Sequence, residues 1–184
     1  MNKNKAFLLA LPAIGAAFLA VLSQLSFSIG TIPITLQTFA VGLIATIFKP
    51  REAVLSVLLY LLLGAIGLPV FAGGSGSFQA LFGPSAGYLW AYLLFALVTS
   101  SLTSKDSKFY TIFLANLLGD ALVFVGGVIG LHFLANMEFS KAIAVGVTPF
   151  ILPDLLKIVA ITLISIPMFR SLAFHSYFSD NKNG

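Results

Sequence analysis

The stretch FYTIFLANLLGDALVFVGGVIGLHFL, Phe109–Leu134, decides the fold class. Its one acidic group is Asp120, and it is long enough to cross a hydrocarbon core about 30 Å thick, which takes about 20 apolar residues. The rest of the 184-residue chain resembles it: 59% of residues are hydrophobic and only 9% charged, with a mean hydropathy of +1.03. Soluble domains carry about 25% charged residues. Too little polar surface exists here to face water on all sides, so lipid must solvate much of the exterior.

Working outward, five more apolar stretches predict helices over Ala6–Ser26, Ile34–Phe48, Glu52–Gly67, Ser85–Leu102 and Pro153–Phe169. Pro33, Pro50, Pro69, Pro84, Pro149 and Pro153 fall at or near their ends, where a missing N–H costs least. The first stretch follows Lys3 and Lys5 as a signal peptide would, but it exceeds the 7–15 residues of a signal core and reads as a span. The expectation is an all-α polytopic membrane protein of six spans. Residues 1–173 form one domain and 174–184 a polar cytoplasmic tail with a disordered composition.

The basic residues orient it. With the N-terminus inside, Lys3, Lys5, Lys49, Arg51, Lys105, Lys108, Arg170 and Lys182 all fall on the cytoplasmic side. Only Lys141 falls outside, and Lys157 lies within a span. This asymmetry places both termini in the cytoplasm. The net charge of +4 is scattered singly, which argues against a nucleic-acid partner.

Two outer connections, Phe27–Pro33 and Leu68–Pro84, carry no charge. The second, LPVFAGGSGSFQALFGP, mixes glycines with Phe71, Phe78, Leu81 and Phe82. Irregular backbone survives at membrane depth only when buried in protein or lining a cavity. A re-entrant-like loop folded over the outer mouth of the bundle is therefore expected. The second, third and fourth spans are short, so irregular segments must share the membrane depth with them.

Ionisable groups inside spans are costly, so each is a functional candidate. Asp154 and Lys157 share one helical face at the start of the sixth span. They suit a polar site for a zwitterionic or amide-rich ligand, or an ion pair that fixes packing. Asp120 and Asn116 project together from one side of the fifth span, for ligand contact or for bonds between helices. Gln79 is a candidate amide contact, while Tyr60, Tyr88 and Trp90 suit either a pocket wall or interfacial belts. Ala10, Ala13, Ala17 and Ala20 form one small-residue face on the first span, with Ala16 beside it. Such a face admits a close-packed helix, from the bundle or from a partner.

Several chemistries lack their residues. There is no cysteine, no Walker A ending after GGSGSF, no HExxH around His132 or His175, and no Gly-x-Ser-x-Gly elbow. Neither an enzyme, nor a chain that hydrolyses ATP by that route, nor a thiolate metal site is expected, and no cofactor is called for.

IPITLQTFAVGL (Ile32–Leu43), LLYLLLGAIGLPVFAGGSG (Leu58–Gly76), GPSAGYLWAY (Gly83–Tyr92) and PFILPDLLK (Pro149–Lys157) together resemble the BioY family. Its members are the biotin-specific substrate-binding (S) components of energy-coupling factor transporters. Two departures stand out: Gly-Pro-Ser-Ala-Gly-Tyr replaces Gly-Pro-Thr-Gly-Gly-Tyr at Gly83–Tyr88, and Pro153 precedes Asp154 without an intervening glycine. The resemblance implies six helices in the bacterial plasma membrane and a biotin pocket near the outer face, closed by the first and third loops. Asp154, Lys157, Gln79, Asn116, Asp120, Gly73, Gly74, Phe71, Tyr88 and Trp90 would serve that pocket. It also implies a transmembrane coupling protein, met through Ala13/Ala17 and Ala16/Ala20, and two cytoplasmic ATPases. The same fold serving another vitamin, or a structural scaffold, are the competing expectations.

Overall fold

The computed structural model describes residues 3–27, 33–172 and 174–179. All six apolar stretches are helical: α1 (Lys3–Ser23), α2 (Gln37–Ile47), α3 (Pro50–Ala65), α4 (Ala86–Leu102), α5 (Phe109–Leu134) and α7 (Ile151–Leu172). Among the described residues, α5 and α7 are long and apolar enough to cross a bilayer unaided, while α2, α4 and most of α1 are shorter apolar helices.

Several boundaries differ from the expected ones for local reasons. Helix α2 begins at Gln37 because Ile34–Thr35 (β2) pairs antiparallel with Ser26–Phe27 (β1), just after Pro33. Its 11 residues rise only about 16 Å. All but Thr38 and Phe39 are buried, so α2 is an internal strut with extended chain above it. Between the fifth and sixth stretches lies a short amphipathic helix not expected from the sequence, α6 (Phe139–Gly146), whose Ala142 and Gly146 face inward.

Residues of the polar tail also pack. A one-turn helix, α8 (Ser176–Ser179), buries Tyr177 against the α2–α3 corner. Its hydroxyl donates to Glu52 Oε2 at 3.0 Å and accepts the Lys49 N–H at 2.8 Å. The rings of His175 and Tyr177 lie 4.3 and 5.8 Å from that of Phe7, at the beginning of α1. Polarity of composition does not prevent docking when one aromatic finds a buried carboxylate to bond.

Small residues set the tightest seam. Gly87 of α4 meets Gly126 and Gly130 of α5 backbone to backbone, with the Ala91 Cβ packed on Gly126. A Cβ on Gly130 would stand 2.8 Å from Gly87 N, and one on Gly126 2.6 Å from the Ala91 Cβ. Close approach of this kind supplies packing where lipid removes the hydrophobic drive between helices. A second such seam joins α1 to α3, where a Cβ on Gly15 would strike Ser56. It buries Ala16 and Leu19 and leaves Ala13 and Ala17 exposed. The internal face of α1 is therefore Ala16, the open one Ala13/Ala17, with Ala20 half-buried between them.

The segment after α3 is a folded strap. Gly67 turns the chain at φ 98°, Phe71 bridges to Ser75, and Gly73 and Gly74 hold φ of 68° and 72° at the tip between them. A turn of 3-10 helix follows over Phe78–Phe82. The strap is stapled to the end of α1. Ser23 Oγ donates to Val70 O, and Gln24 Nε2 lies 3.2 Å from Pro69 O.

Two tests follow from this packing. Gly87→Ala should destabilise the detergent-solubilised protein by about 1–3 kcal/mol, because the methyl strikes backbone that cannot rotate away. Gly83→Ala, whose nearest neighbour is 3.6 Å away, should leave the thermal midpoint unchanged. The second concerns α8. Burial pushes the Tyr177 phenol well above its ordinary value of 10.0, opposed by the Lys49 N–H and reinforced by the Glu52 carboxylate. A phenol whose folded pKa is raised contributes fully below about pH 10 and loses that contribution as pH climbs toward the folded value. Proteolysis of the C-terminal segment should thus be flat with pH to about 10 and accelerate above it. In Tyr177→Phe it should be faster throughout and lack the alkaline rise.

Candidate ligand-binding site

A cavity of about 160 Å³ lies beneath the strap, among α2, α4, α5 and α7. Its apolar walls are Tyr88, Leu89 and Tyr92 from α4 and Val123 and Phe124 from α5, with Phe150 just before α7. Phe71, Ala72, Ser75 and Ala80 close it from the strap. Its polar wall is built by two helix beginnings: Thr35, Gln37 and Thr38 at α2, and Asp154 and Lys157 at α7.

The two beginnings are tied by one ammonium group. Lys157 Nζ donates to Asp154 Oδ1 at 2.5 Å, to Thr35 O at 2.6 Å and to Thr38 Oγ1 at 3.0 Å. These three bonds use all three of its N–H groups. Thr38 Oγ1 in turn donates to Asp154 Oδ1 at 3.1 Å. Both donors converge on Oδ1, so among the described residues Asp154 Oδ2 keeps its capacity to accept. The carboxylate is 3% exposed as a residue, and its ion pair is secluded enough for geometry to matter.

Gln37 anchors the other polar wall. Its Nε2 donates to Tyr60 Oη at 2.6 Å, and its Oε1 accepts from Thr35 Oγ1 at 2.9 Å and from Tyr92 Oη at 3.4 Å. Tyr60 is fully buried behind this amide, edge-on to Phe71 at 5.4 Å between centroids. The aromatic support thus runs from α3 through Gln37 to the cavity wall on α4.

The residues named from sequence are distributed unevenly around this site. Asp154, Lys157, Phe71 and Tyr88 line the cavity, and Tyr88 Oη is held by Gly146 O at 2.8 Å. Gly73 and Gly74 are at the exposed strap tip. Gln79 is exposed and outside the cavity lining, because the strap's 3-10 turn directs Ala80 inward instead. Trp90 is 45% exposed on the outer face of α4 and donates from Nε1 to Leu81 O at 3.0 Å. Asn116 and Asp120 are buried between helices and are also outside the lining. Asn116 Nδ2 donates to Thr46 Oγ1 and Ile112 O, both at 2.9 Å, so its role here is to bind α2 to α5.

Thr35, Gln37 and Thr38 also line the cavity, and the sequence alone does not mark them as site residues. Their signal is polarity clustered after Pro33 at the head of a span that is otherwise apolar. No group of metal-ligating side chains occurs among the described residues.

This arrangement offers a neutralised ion pair with one open carboxylate oxygen beside aromatic and aliphatic walls. It can accept hydrogen bonds from a flat polar head while burying an apolar body. Loss of the tie should be costly: Lys157→Met leaves the buried Asp154 charge unpaired and should destabilise by about 3–5 kcal/mol. Adding Asp154→Leu to it should recover most of that loss in the thermal midpoint. Additive losses would show that the two side chains are not coupled.

Comparison with known proteins agrees over nearly the whole chain. The family model described as the BioY family matches residues 1–174. The biotin transporter BioY2 of Lactococcus lactis subsp. cremoris (strain MG1363) is 41% identical over 182 residues, covering 98% of this chain and 100% of that protein. The biotin transporter BioY of Thermotoga maritima is 38% identical over 150 residues, covering 82% and 88%. The crystal structure at 2.1 Å of the S-component for biotin from an ECF-type ABC transporter superposes with a TM-score of 0.87 at 28% identity, covering 97% of this chain and 98% of that one. With a fold shared along its full length and relatives this similar, the chain belongs to the BioY family, a family of integral membrane proteins.

Proposed function

We propose that this protein captures biotin at the outer face of the cell membrane and serves uptake as the substrate-binding subunit of an energy-coupling factor transporter. The observation that carries this is the open Oδ2 of Asp154, fixed by Lys157 and Thr38 at the wall of an otherwise aromatic and aliphatic cavity. Biotin presents a ureido group with two N–H donors, an apolar fused ring and a valerate carboxylate. Asp154 accepts from the ureido N–H groups. Lys157, with its donors spent on Thr35, Thr38 and Asp154, holds that carboxylate in place. Tyr88, Tyr92 and Phe71 bury the ring, and Ser75 and Ser85 supply hydroxyls for the valerate end.

The membrane reading that goes with this function is six spans, α1–α5 and α7, with both termini in the cytoplasm. The distribution of basic residues supports it. The exposed Ala13/Ala17 stripe on α1 is the surface for the coupling protein, whose two ATPase partners provide the energy. The chain itself performs no catalysis; it binds and releases.

Calorimetry or native mass spectrometry of the purified protein tests the assignment. Biotin should bind, and riboflavin and thiamine should not. Asp154→Asn should weaken biotin by roughly 10- to 150-fold, the worth of about 1.5–3 kcal/mol for bonds to a charged acceptor. Biotin affinity unchanged in both Asp154→Asn and Lys157→Ala would sink the site.

A further inference from the structure

The strap has two faces. Ala80 belongs to the ligand cavity, whereas the adjacent Leu81 and Phe82 line a separate groove on the outside of the bundle. That groove, about 470 Å³, runs between α4 and α5 and is also walled by Trp90, Leu94, Ile129 and Phe133. It exists because Gly87, Ala91, Gly126 and Gly130 bring the two helices together without side chains to fill the surface above them. Phe78 and Phe82, one turn apart, stand 63% and 58% exposed with ring centroids 5.3 Å apart. No charge occurs anywhere from Leu68 to Pro84.

We infer that the strap is seated in the lipid interface, with one outer-leaflet phospholipid acyl chain lying in the α4–α5 groove against Leu81 and Phe82, and that this seat holds the ligand cavity closed. The groove is continuous with the lipid-facing flanks of both helices, where Leu94, Val125, Ile129 and Phe133 are exposed. The Trp90 indole bonds to the strap carbonyl of Leu81 and is half-exposed, as an aromatic at the headgroup level would be. Two neighbouring phenylalanines in water would form an apolar patch with nothing to repel it from the membrane beside it. In the interface they add burial to that of Phe71 and Leu81, which already seat the inner side of the strap on the bundle. The inference rests on the membrane reading above and not on the identity of the ligand.

The test is made without ligand. Trp90 is the one tryptophan of the chain, so Trp90→Phe/Phe82→Trp reports on the strap alone. This variant is placed in vesicles of phosphatidylcholine and phosphatidylglycerol, with phosphatidylcholine brominated either near the headgroup end or near the chain terminus. Strong quenching by shallow bromines and weak quenching by aqueous acrylamide are expected. The reverse pattern overturns the seat. Closure is read separately. The chain has no cysteine, so Ala80→Cys reports cavity access through its rate of labelling by a membrane-impermeant maleimide. Phe78→Ser/Phe82→Ser should speed labelling roughly tenfold, the shift that about 1.4 kcal/mol of lost apolar burial produces. Phe78→Leu/Phe82→Leu, which keeps an apolar strap, should not. Equal rates in all three backgrounds, or equal acceleration by both pairs, overturn the coupling between lipid seat and cavity.

Discussion

The ammonium group of Lys157 is the constraint on which the cavity end of the bundle depends. It joins the beginning of α7 to the beginning of α2 by donating to a carboxylate, a backbone carbonyl and a hydroxyl. Thr35 is the last residue of β2, so its carbonyl belongs to chain that has not yet become helical. An exposed carbonyl at that depth would cost several kcal/mol unpaired. The lysine satisfies it and at the same time neutralises Asp154. One residue therefore permits both an irregular entry into α2 and a buried acid at the cavity wall.

The opposite end of the bundle relies on a different chemistry. There, hydroxyls and an amide bind helices: Asn116 to Thr46, Thr99 Oγ1 to Ala115 O at 2.9 Å, and Thr103 Oγ1 to Thr46 O at 3.2 Å. Neutral bonds of this kind hold helices in lipid at modest energy, about 0.6–2 kcal/mol each. They form a ladder among α2, α4 and α5, while the glycine seam closes α4 on α5 nearer the strap. The ion pair of Asp154 and Lys157 thus stands at the cavity wall, where a ligand can use it, and Glu52 and Asp120 are buried away from it.

The limits of the sequence follow from the same division. Helix α5 is legible to the residue because polar or turn-forming neighbours bound a single apolar run. Asp154 and Lys157 are legible as a pair because three residues of helix put them on one face. Gln37, Thr35 and Thr38 are hard to recognise because polarity without charge at a helix start also suits a cap or a turn. Trp90 and Gln79 are ambiguous for another reason. Helix α4 is apolar all round, so no stripe separates an inward from an outward face. The strap's 3-10 turn obeys neither a two-residue nor a 3.6-residue period. Helix α6 is eight residues long, too short to stand out against a loop. Pairing of Gly87 with Gly126 and Gly130 is non-local, and no window along the chain contains both sides of it.

Internal pairing of polar groups lets so small a chain build a capture site. A binding wall must be polar enough to orient a ligand, yet buried polar groups are tolerated only when nearly every one is satisfied. Here the satisfaction is internal and almost complete: Lys157 has spent its donors, Gln37 is bonded at both ends, and Tyr88 is held by Gly146. What remains for a ligand is one carboxylate oxygen and the Ser75 and Ser85 hydroxyls in a cavity otherwise walled by aromatic and aliphatic surface. Specificity then comes from the scarcity of unpaired groups. A ligand must bring donors for that oxygen and few other polar groups, because beyond the Ser75 and Ser85 hydroxyls the walls have little to give it.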